Sequence, residues 1–351
     1  MSDGTAGEMG APLPAPARAR RVRKQIRSVV GSRVGGLVLL DLVFIALVGS
    51  YNSDFVRIEN FRVILDNMGL DAVVMVGTVL LLAGGRFDLS IDGVAALSGI
   101  VTGKLLVDTG LATVPAVAAG LATGLAVGLI NGVLIERAGL NPLMTTLATW
   151  WATTGIALGL TQGYSPFGFP GAFTQIGQAT FFGSMIAVYY ATVVVVVAAA
   201  ALAFTRFGYH IFATGGDREA ARLNGIRVDR IGILLYMFAG LLSAIAGLVF
   251  AARLSTASPV AFDGLALDVI AAAVIGGASL NGGRGSIVGG LLGLLLLNML
   301  GNAAIYVGIS PYWQKAISGA VLLVAVSGDV LAERVQRSEW RPWRRGAAPQ
   351  A

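Results

Sequence analysis

The side chains that most often carry out chemistry in proteins are scarce in this chain. It contains no cysteine and one histidine, His210. These counts exclude disulfide bonds, thiolate zinc sites, a cysteine nucleophile and any metal site built from several histidines. No nucleophile stands beside a general base in the pattern of residues, so we predict no catalytic residue and no metal site.

The nearest approach to a phosphate-binding loop is the stretch GIVTGKL at 99–105. Its two glycines are separated by one residue too few, and Leu105 stands where a serine or threonine would hold magnesium. The stretch also lies inside an apolar segment. We therefore expect that this chain binds no cofactor and does not hydrolyse ATP itself.

Carboxylates inside apolar segments are the next candidates, because proton or sodium coupling needs ionisable groups at membrane depth. Asp41, Asp71 and Asp268 meet this condition, and Asp268 begins a short apolar segment. For each of them we favour a structural role, as a helix cap or a hydrogen-bonded contact, over ion coupling.

Polar residues where apolar segments break form a further set. Such residues could exchange hydrogen bonds with a solute as it crosses a membrane. The candidates for a translocation path are Asp88, Ser90, Asp92, Asn141, Thr145, Thr146, Asp268 and Asn281. Asn141 precedes Pro142, so a role in starting a helix is an equal alternative for it.

The elements that must position these residues are membrane-spanning helices. Hydrophobic residues make up 56% of the 351 residues, charged residues only 13%, and the mean hydropathy is +0.77. A soluble domain has about 25% charged residues, so a soluble enzyme is not expected. A span needs roughly 20 apolar residues, and we predict about ten helices, some short or broken, in an all-α fold. The predicted spans are 34–51, 68–83, 93–109, 114–135, 143–162, 186–205, 231–251, 265–280, 287–307 and 313–331.

The charge distribution gives this arrangement an orientation. An even number of spans puts both ends on one side, and that side then holds 20 of the 25 lysines and arginines, as the positive-inside rule requires. We predict a basic disordered cytoplasmic tail at 1–33, a transmembrane domain at 34–331 and a basic cytoplasmic tail at 332–351. A cleaved signal peptide is the alternative for the first segment.

Glycines recur at helical spacing in two spans, where they would let helix backbones approach closely. The two stripes are Gly120, Gly124, Gly128 and Gly132, and Gly285, Gly289 and Gly293. We favour packing inside one subunit over a dimer contact. The stretches at 84–93 and 276–285 each carry a glycine pair, a leucine and an arginine, which suggests an internal repeat, although two ordinary tight turns would explain them equally well.

The longest cytoplasmic segment, 206–230, contains a short helical motif. Asp217 can cap it and Gly225 can end it. A short helix with small and charged residues, lying parallel to the membrane, is suited to insert into a groove of a soluble partner. We expect a soluble partner to dock on Asp217, Arg218, Glu219, Ala220, Ala221, Arg222, Leu223, Asn224 and Gly225.

Three motifs together resemble the permease subunits of ABC importers for monosaccharides of the ribose, xylose and arabinose type. They are GGRFDLSIDG at 84–93, FATGGDREAARLNGI at 212–226 and IGGASLNGGRGSIVGG at 275–290. The middle motif is similar to the family's EAA coupling segment, so the resemblance implies ATPase coupling at 217–225. The resemblance covers most of 60–330. Asp92 and Asp217 depart from the residues common in the family, which leaves the sugar open.

The resemblance implies a machine of several chains in the bacterial inner membrane. A second permease copy or a paralogue would complete the pathway, two cytoplasmic ATPase subunits would bind ATP and magnesium, and an extracytoplasmic binding protein would deliver the sugar. Branched-chain amino acids, nucleosides or a polyol are alternative solutes. An ion-coupled secondary transporter is the alternative of a different class.

Overall fold

A computed structural model describes residues 33–310 and, beyond them, Trp313, Ala316, Gly319, Ala320 and Leu323. Apart from Arg33, the predicted tails at 1–33 and 332–351 lie outside the described residues. Most of the predicted tenth span does so as well.

The described chain is built almost entirely from helices. They are α1 (Arg33–Tyr51), α2 (Ile58–Ala83), α3 (Ile91–Val107), α4 (Thr113–Glu136), α5 (Pro142–Thr161), α6 (Gly171–Gln178), α7 (Ile186–Phe204), α8 (Arg206–Gly216), α9 (Arg218–Leu223), α10 (Val228–Leu254), α11 (Leu265–Ile275) and α12 (Ile287–Tyr306). A 3₁₀ turn at Ser53–Val56 joins α1 to α2. The exception to the all-α prediction is an antiparallel hairpin of two short strands, β1 (Thr180–Phe181) and β2 (Ser184–Met185), between α6 and α7.

Six of the described helices are long and apolar enough to cross a membrane. They are Val34–Tyr51 within α1, α2, α4, α7, α10 and α12. The chain is therefore a multi-pass helical membrane protein. Helices α3 and α11 have 17 and 11 residues, fewer than the roughly 20 that a full crossing needs. The total of ten spans stays a prediction.

Helix α10 lies at the centre of the bundle and packs against α2, α3 and α4. Its contact with α4 runs along the first glycine stripe. An added Cβ at Gly124 would lie 2.6 Å from the Ala244 side chain, and one at Gly128 would lie 2.8 Å from the backbone of Met237. Gly132 lies against Ile233 of α10, and Gly120 lies between Thr102 of α3 and Leu248 of α10, so this stripe packs within the subunit.

The second glycine stripe lies on α12 and faces α2 and α11. Gly285 lies beside Ala83 at the end of α2, while Gly289 and Gly293 lie against the backbone of Gly276 and Ala272. Close approach of backbones brings many weak contacts together, which is how helices associate when water cannot drive them together. These contacts fix the short helix α11 between its two longer neighbours.

Helices α2 and α11 end in the same way at the two glycine pairs. The amides of Gly84, Gly85 and Arg86 donate to the carbonyls of Leu80, Leu82 and Leu81, and the amides of Gly276, Gly277 and Ala278 donate to those of Ala272, Val274 and Ala273. The second glycine of each pair has a positive φ, 70° at Gly85 and 92° at Gly277. This is the common glycine-based helix ending, so the internal repeat stays a prediction.

The structure differs from the predicted spans at several places, among them the end of α11 at Ile275 instead of 280, the start of α2 and the segment after α7. Helix α2 begins at Ile58, ten residues before the predicted start at 68. The prediction followed the apolar run, whereas the helix also includes the charged residues Arg62 and Asp66. Residues Arg206–Gly216 form a helix of their own, α8, after the extended residue Thr205, whose hydroxyl accepts the amide of Gly208. We had expected only the short helix that follows it.

Candidate coupling and translocation sites

The coupling segment, residues 217–225, forms a short helix that protrudes from the bundle. The Asp217 carboxylate accepts the amides of Glu219 and Ala220, each at 2.9 Å, so it caps α9 as the sequence indicates. Gly225 follows the helix with φ +80°. Of these nine residues only Ala221 is buried, and the Leu223 side chain is 81% exposed. The coupling segment is therefore exposed apart from Ala221.

A buried cluster of charges joins the coupling segment to the bundle. The Glu136 side chain, at the end of α4, is fully buried, and the Arg86 side chain is 2% exposed. Arg86 Nε donates to Glu136 Oε1 at 2.7 Å, and Arg218 of α9 donates to Glu136 Oε2. One carboxylate is therefore shared by two guanidinium groups, which is how a protein can hold charge away from water.

We call this end of the bundle the basal end, defined by Ala83, Glu136, Arg218 and Val228. Two glycine-containing turns and the end of α8 meet there. The amide of Gly283 donates to the carbonyl of Ala83 at 3.0 Å. Gly215, near the end of α8, lies against both Ala83 and Gly283. A Cβ added at Gly215 would overlap the Ala83 carbonyl and approach Gly283 N to 2.6 Å. The turns after α2 and α11 thus both contact α8, the helix that directly precedes the coupling segment.

A chain of polar side chains runs inward from the irregular stretch 84–90. The Asp88 carboxylate accepts the amide and hydroxyl of Ser90 at 2.7 and 2.6 Å. Asn131 of α4 donates to Ser90 Oγ at 2.9 Å and accepts the hydroxyl of Thr149 on α5 at 2.7 Å. Asp88, Ser90 and Asn131 are buried and Thr149 is half-buried. Each of these buried polar groups has a partner, as membrane interiors demand.

Thr149 also faces a groove of about 470 Å³ between α4 and α5. The lining residues are uncharged: Leu134, Leu140, Asn141, Met144, Thr145, Ala148, Thr149 and Ala152. Asn141, Thr145 and Thr149 follow one another at four-residue spacing and share a helix face. The groove therefore offers a row of amide and hydroxyl groups set among apolar side chains.

The other predicted path residues lie elsewhere. Thr146 is buried and donates to the Pro142 carbonyl at 2.8 Å. Asn281 is exposed in the turn after α11, and Asp268 lies in the first turn of α11. Asp92 is buried and binds the amides of Gly264 and Ala266. The structure thus brings Asn141 and Thr145 together in the groove, and it connects Asp88 and Ser90 to that groove through Asn131.

Asn141 starts a helix, which is one of the two roles that the sequence leaves open, and it also borders the groove. Its side-chain oxygen accepts the amides of Leu143 and Met144, at 2.9 and 3.2 Å, so it caps α5. It is also exposed at the rim of the groove.

Three residues of these sites were not singled out in the sequence. Asn131 is a polar residue inside an apolar, glycine-rich helix, which is itself a signal, since such residues are rarely placed in a membrane without a partner. Thr149 continues the four-residue spacing from Asn141. Glu136 had no such signal, because its partners lie 50 and 82 residues away.

Within the described residues, no group of three histidine, cysteine, aspartate or glutamate side chains could hold a metal ion. Both carboxylate oxygens of Asp41 are buried without a hydrogen-bond partner among the described residues.

Comparisons with known proteins agree on one family. The model of the family described as "Branched-chain amino acid transport system / permease component" matches residues 69–326. The chain is 36% identical to the ribose import permease protein RbsC of Escherichia coli K12 over 82% of its own length and 91% of that protein. It is 35% identical to the L-arabinose transport system permease protein AraH of the same strain, over 88% of this chain and 94% of AraH.

A third relative is the L-arabinose ABC transporter permease protein AraH of Azospirillum brasilense. It is 34% identical over 92% of this chain and 94% of that protein. No solved structure matches the chain. Because the family model covers well over half of the residues and these relatives align over nearly their whole lengths, the chain belongs to the family of branched-chain amino acid transport system permease components.

Proposed function

We propose that this chain is the membrane permease subunit of an ABC importer for a monosaccharide. The observation that carries the proposal is the coupling segment at the basal end: a capped helix of six residues that exposes almost its entire surface. An exposed helix of this kind needs a partner, and its Leu223 and flanking charges suit a groove on a soluble protein. The relatives are named as ribose and arabinose permeases, which supports the solute class.

The partner at the coupling segment is a cytoplasmic ATPase subunit, which binds ATP and magnesium. A second permease copy or a paralogue completes the pathway, and an extracytoplasmic binding protein delivers the solute. Both termini are cytoplasmic and ten spans cross the inner membrane. The charge asymmetry supports this orientation, since it places the basal end, with Arg86, Arg218 and Arg284, on the cytoplasmic side.

The groove between α4 and α5 is the part of the pathway that this subunit supplies. A sugar is neutral and carries many hydroxyl groups, so it needs hydrogen-bonding partners without a net charge. Asn141, Thr145 and Thr149 provide such partners, and no charged side chain lines the groove. A zwitterionic amino acid would cross this surface without partners for its charges, which favours the sugar over the solute in the family's description.

Transport is driven by the difference in ATPase contact between the inward-open and outward-open states of the permease pair. Closure of the ATPase pair on ATP pulls on the coupling segment, and the permease pair changes from inward-open to outward-open. The uncharged outer residues 163–185, with α6 and the hairpin, meet the loaded binding protein. The binding protein supplies recognition, so the groove holds the solute only in passage.

Uptake into proteoliposomes tests this function. The permease is reconstituted with an ATPase and a binding protein of this importer class from the same genome, and labelled ribose, arabinose, leucine, a nucleoside and a polyol are offered in turn. We expect ATP-dependent uptake of a pentose that survives an ionophore. Uptake that an ionophore abolishes, or that needs no ATPase, would favour the ion-coupled alternative, and preference for leucine would reassign the solute.

The role of the coupling segment is tested by Glu219→Ala, with Glu59→Ala as the matched control. Both glutamates are exposed, but Glu59 lies in the first turn of α2, outside the coupling segment. We expect Glu219→Ala to lower uptake by roughly tenfold, the middle of the range for coupling energies, and Glu59→Ala to change it little. Equal uptake by the two variants would exclude this role for Glu219.

The orientation has a direct test because the chain contains no cysteine. A single Leu223→Cys substitution places one exposed thiol on the coupling segment. An impermeant maleimide should label it in inside-out vesicles and leave it unlabelled in right-side-out vesicles. The reverse result would place the segment on the outer face and contradict the proposed function.

A further inference from the structure

We infer that Arg218 and Glu136 are positioning residues that transmit movement of the coupling segment to the irregular stretch 84–90, and through it to the groove. This inference rests on the proposed function. It concerns the buried cluster of charges, whose members lie on four separate parts of the chain: the turn after α2, the end of α4, the helix α9 and the start of α10.

The first step is the way the coupling segment is held. Ala221 is its one buried residue, and its other side chains are exposed. Arg218 is half-exposed, yet its guanidinium reaches the fully buried carboxylate of Glu136. Among the described residues, this ion pair joins an exposed side chain of α9 to a buried carboxylate at the end of α4.

The second step is the tie from Glu136 to the stretch 84–90. Arg86 makes four hydrogen bonds: two to the Glu136 carboxylate at 2.7 and 3.3 Å, one to the Gly84 carbonyl at 2.6 Å and one to the Val228 carbonyl at 3.1 Å. A planar guanidinium that bonds in several directions fixes the groups around it. Arg86 therefore sets the position of the turn relative to α4 and α10.

The third step is the tight packing around the pair. Gly232 of α10 lies directly against it, since an added Cβ would overlap the Glu136 carboxyl group and lie 2.6 Å from Arg86 Nε. Groups packed this closely transmit a displacement because they cannot absorb it by local rearrangement. A change at Glu136 must then move Arg86 or the turn that carries it.

The fourth step is that Arg218 has two partners. Asp229, in the first turn of α10, lies 3.6 Å from the Arg218 guanidinium and is half-exposed. When the coupling segment is drawn outward, Arg218 can exchange Glu136 for Asp229. Glu136 then keeps Arg86 alone, and the balance of charge in the buried cluster changes. An element with two discrete arrangements is what a coupling pathway requires.

The last step leads to the groove. Asp88 lies two residues after Arg86 and holds Ser90, which is bonded to Asn131, which is bonded to Thr149 in the groove wall. Hydrogen bonds therefore connect the exposed coupling segment with the surface that meets the solute, with one short backbone stretch from Arg86 to Asp88 between them.

The experiment compares Arg218→Gln, Arg218→Lys and Glu136→Gln in the reconstituted importer. Arg137→Gln is the matched control, because Arg137 is the exposed neighbour of Glu136. The readout is the number of sugar molecules taken up per ATP hydrolysed, with co-purification of the ATPase and the melting temperature measured alongside. A change that only weakened the fold would lower uptake and hydrolysis together and leave this ratio unchanged.

We expect Arg218→Gln to lower the ratio by roughly tenfold while the ATPase still co-purifies. Arg218→Lys keeps the charge and should retain most of the ratio. Glu136→Gln should also lower it, and because this variant leaves Arg86 without its buried partner, Arg218→Gln is the decisive one. Arg137→Gln should behave like the unchanged protein.

A normal ratio in Arg218→Gln would overturn the inference, as would an equal loss in Arg137→Gln or a loss in Arg218→Lys as large as that in Arg218→Gln. If the unchanged importer takes up no sugar with ATP, the proposed function itself fails and the inference falls with it. If the unchanged importer works and Arg218→Gln works equally well, only the inference fails.

Discussion

Asp92 Oδ1 accepts a hydrogen bond of 2.6 Å from the backbone amide of Ala266, which lies 174 residues later in the chain. The other carboxylate oxygen accepts the amide of Gly264 at 3.0 Å. Asp92 is in the first turn of α3, and the two amides belong to the start of α11. One buried carboxylate thus satisfies free amides at the beginning of another short helix, which has no cap from its own side chains.

Asp92→Asn should destabilise the protein. The asparagine keeps one acceptor oxygen and places an NH₂ group against the second amide, so a buried donor loses its partner. We expect the free energy of unfolding to fall by about 1–3 kcal/mol, seen as a lower melting temperature in detergent. Asp108→Asn is the control, because Asp108 lies at the exposed end of the same helix, where it pairs with Lys104. Equal melting temperatures would show that the two hydrogen bonds contribute little.

Gly215→Ala tests the contact of α8 with the two glycine-containing turns at the basal end. The added methyl group would overlap the Ala83 carbonyl, a backbone atom that cannot move without shifting α2. Its neighbour Gly216 has open space at the same position, so Gly216→Ala is a matched control one residue away. We expect Gly215→Ala to lower the free energy of unfolding by about 1–3 kcal/mol and Gly216→Ala to leave the melting temperature unchanged or slightly raised. The reverse order would contradict the described packing.

Gly124→Ala tests the glycine stripe between α4 and α10. Its Cβ would overlap the Gly240 carbonyl and lie 2.6 Å from the side chain of Ala244, so the two helices would have to move apart. We expect a loss of about 1–3 kcal/mol in the free energy of unfolding. Gly36→Ala in α1, with no atom within 4 Å of the added Cβ, should instead stabilise its helix by up to about 1 kcal/mol. A thermal unfolding series of the two variants measures both effects.

The sequence predicts local features of this fold well and contacts between distant segments poorly. Helix α9 and its Asp217 cap follow from a few adjacent residues, and the helices follow from runs of apolar residues. The pairing of Glu136 with Arg218 does not, because nothing in the residues near Glu136 specifies a partner 82 positions away.

The groove shows a second limit, which is the rotational phase of a helix. Thr145 and Thr146 are adjacent and chemically identical, yet Thr145 lines the groove and Thr146 is buried against its own helix backbone. Successive residues point about 100° apart, so only knowledge of the neighbouring helices decides which one faces the pathway. The four-residue spacing of Asn141, Thr145 and Thr149 marks a common face, but it does not say that this face borders a groove.

Asn131→Leu tests the polar connection between Ser90 and the groove. Leucine has a similar volume and no polar atoms, so Ser90 would lose a donor and Thr149 an acceptor. Thr149 also donates to the Thr145 carbonyl and can keep that bond, which makes Ser90 the residue most affected. We expect a loss of about 1–3 kcal/mol in the free energy of unfolding, together with slower ATP-dependent sugar uptake.

The matched control is Thr123→Val on the same helix. The Thr123 hydroxyl donates to the Ala119 carbonyl in its own helix. Its loss therefore breaks no hydrogen bond between the described helices and should change neither quantity appreciably. If Asn131→Leu were as stable and as active as Thr123→Val, the hydrogen bonds through Asn131 would have no part in holding the stretch 84–90. The route from that stretch to the groove would then have to run through backbone packing, and the uptake of Arg218→Gln would no longer depend on the residue at 131.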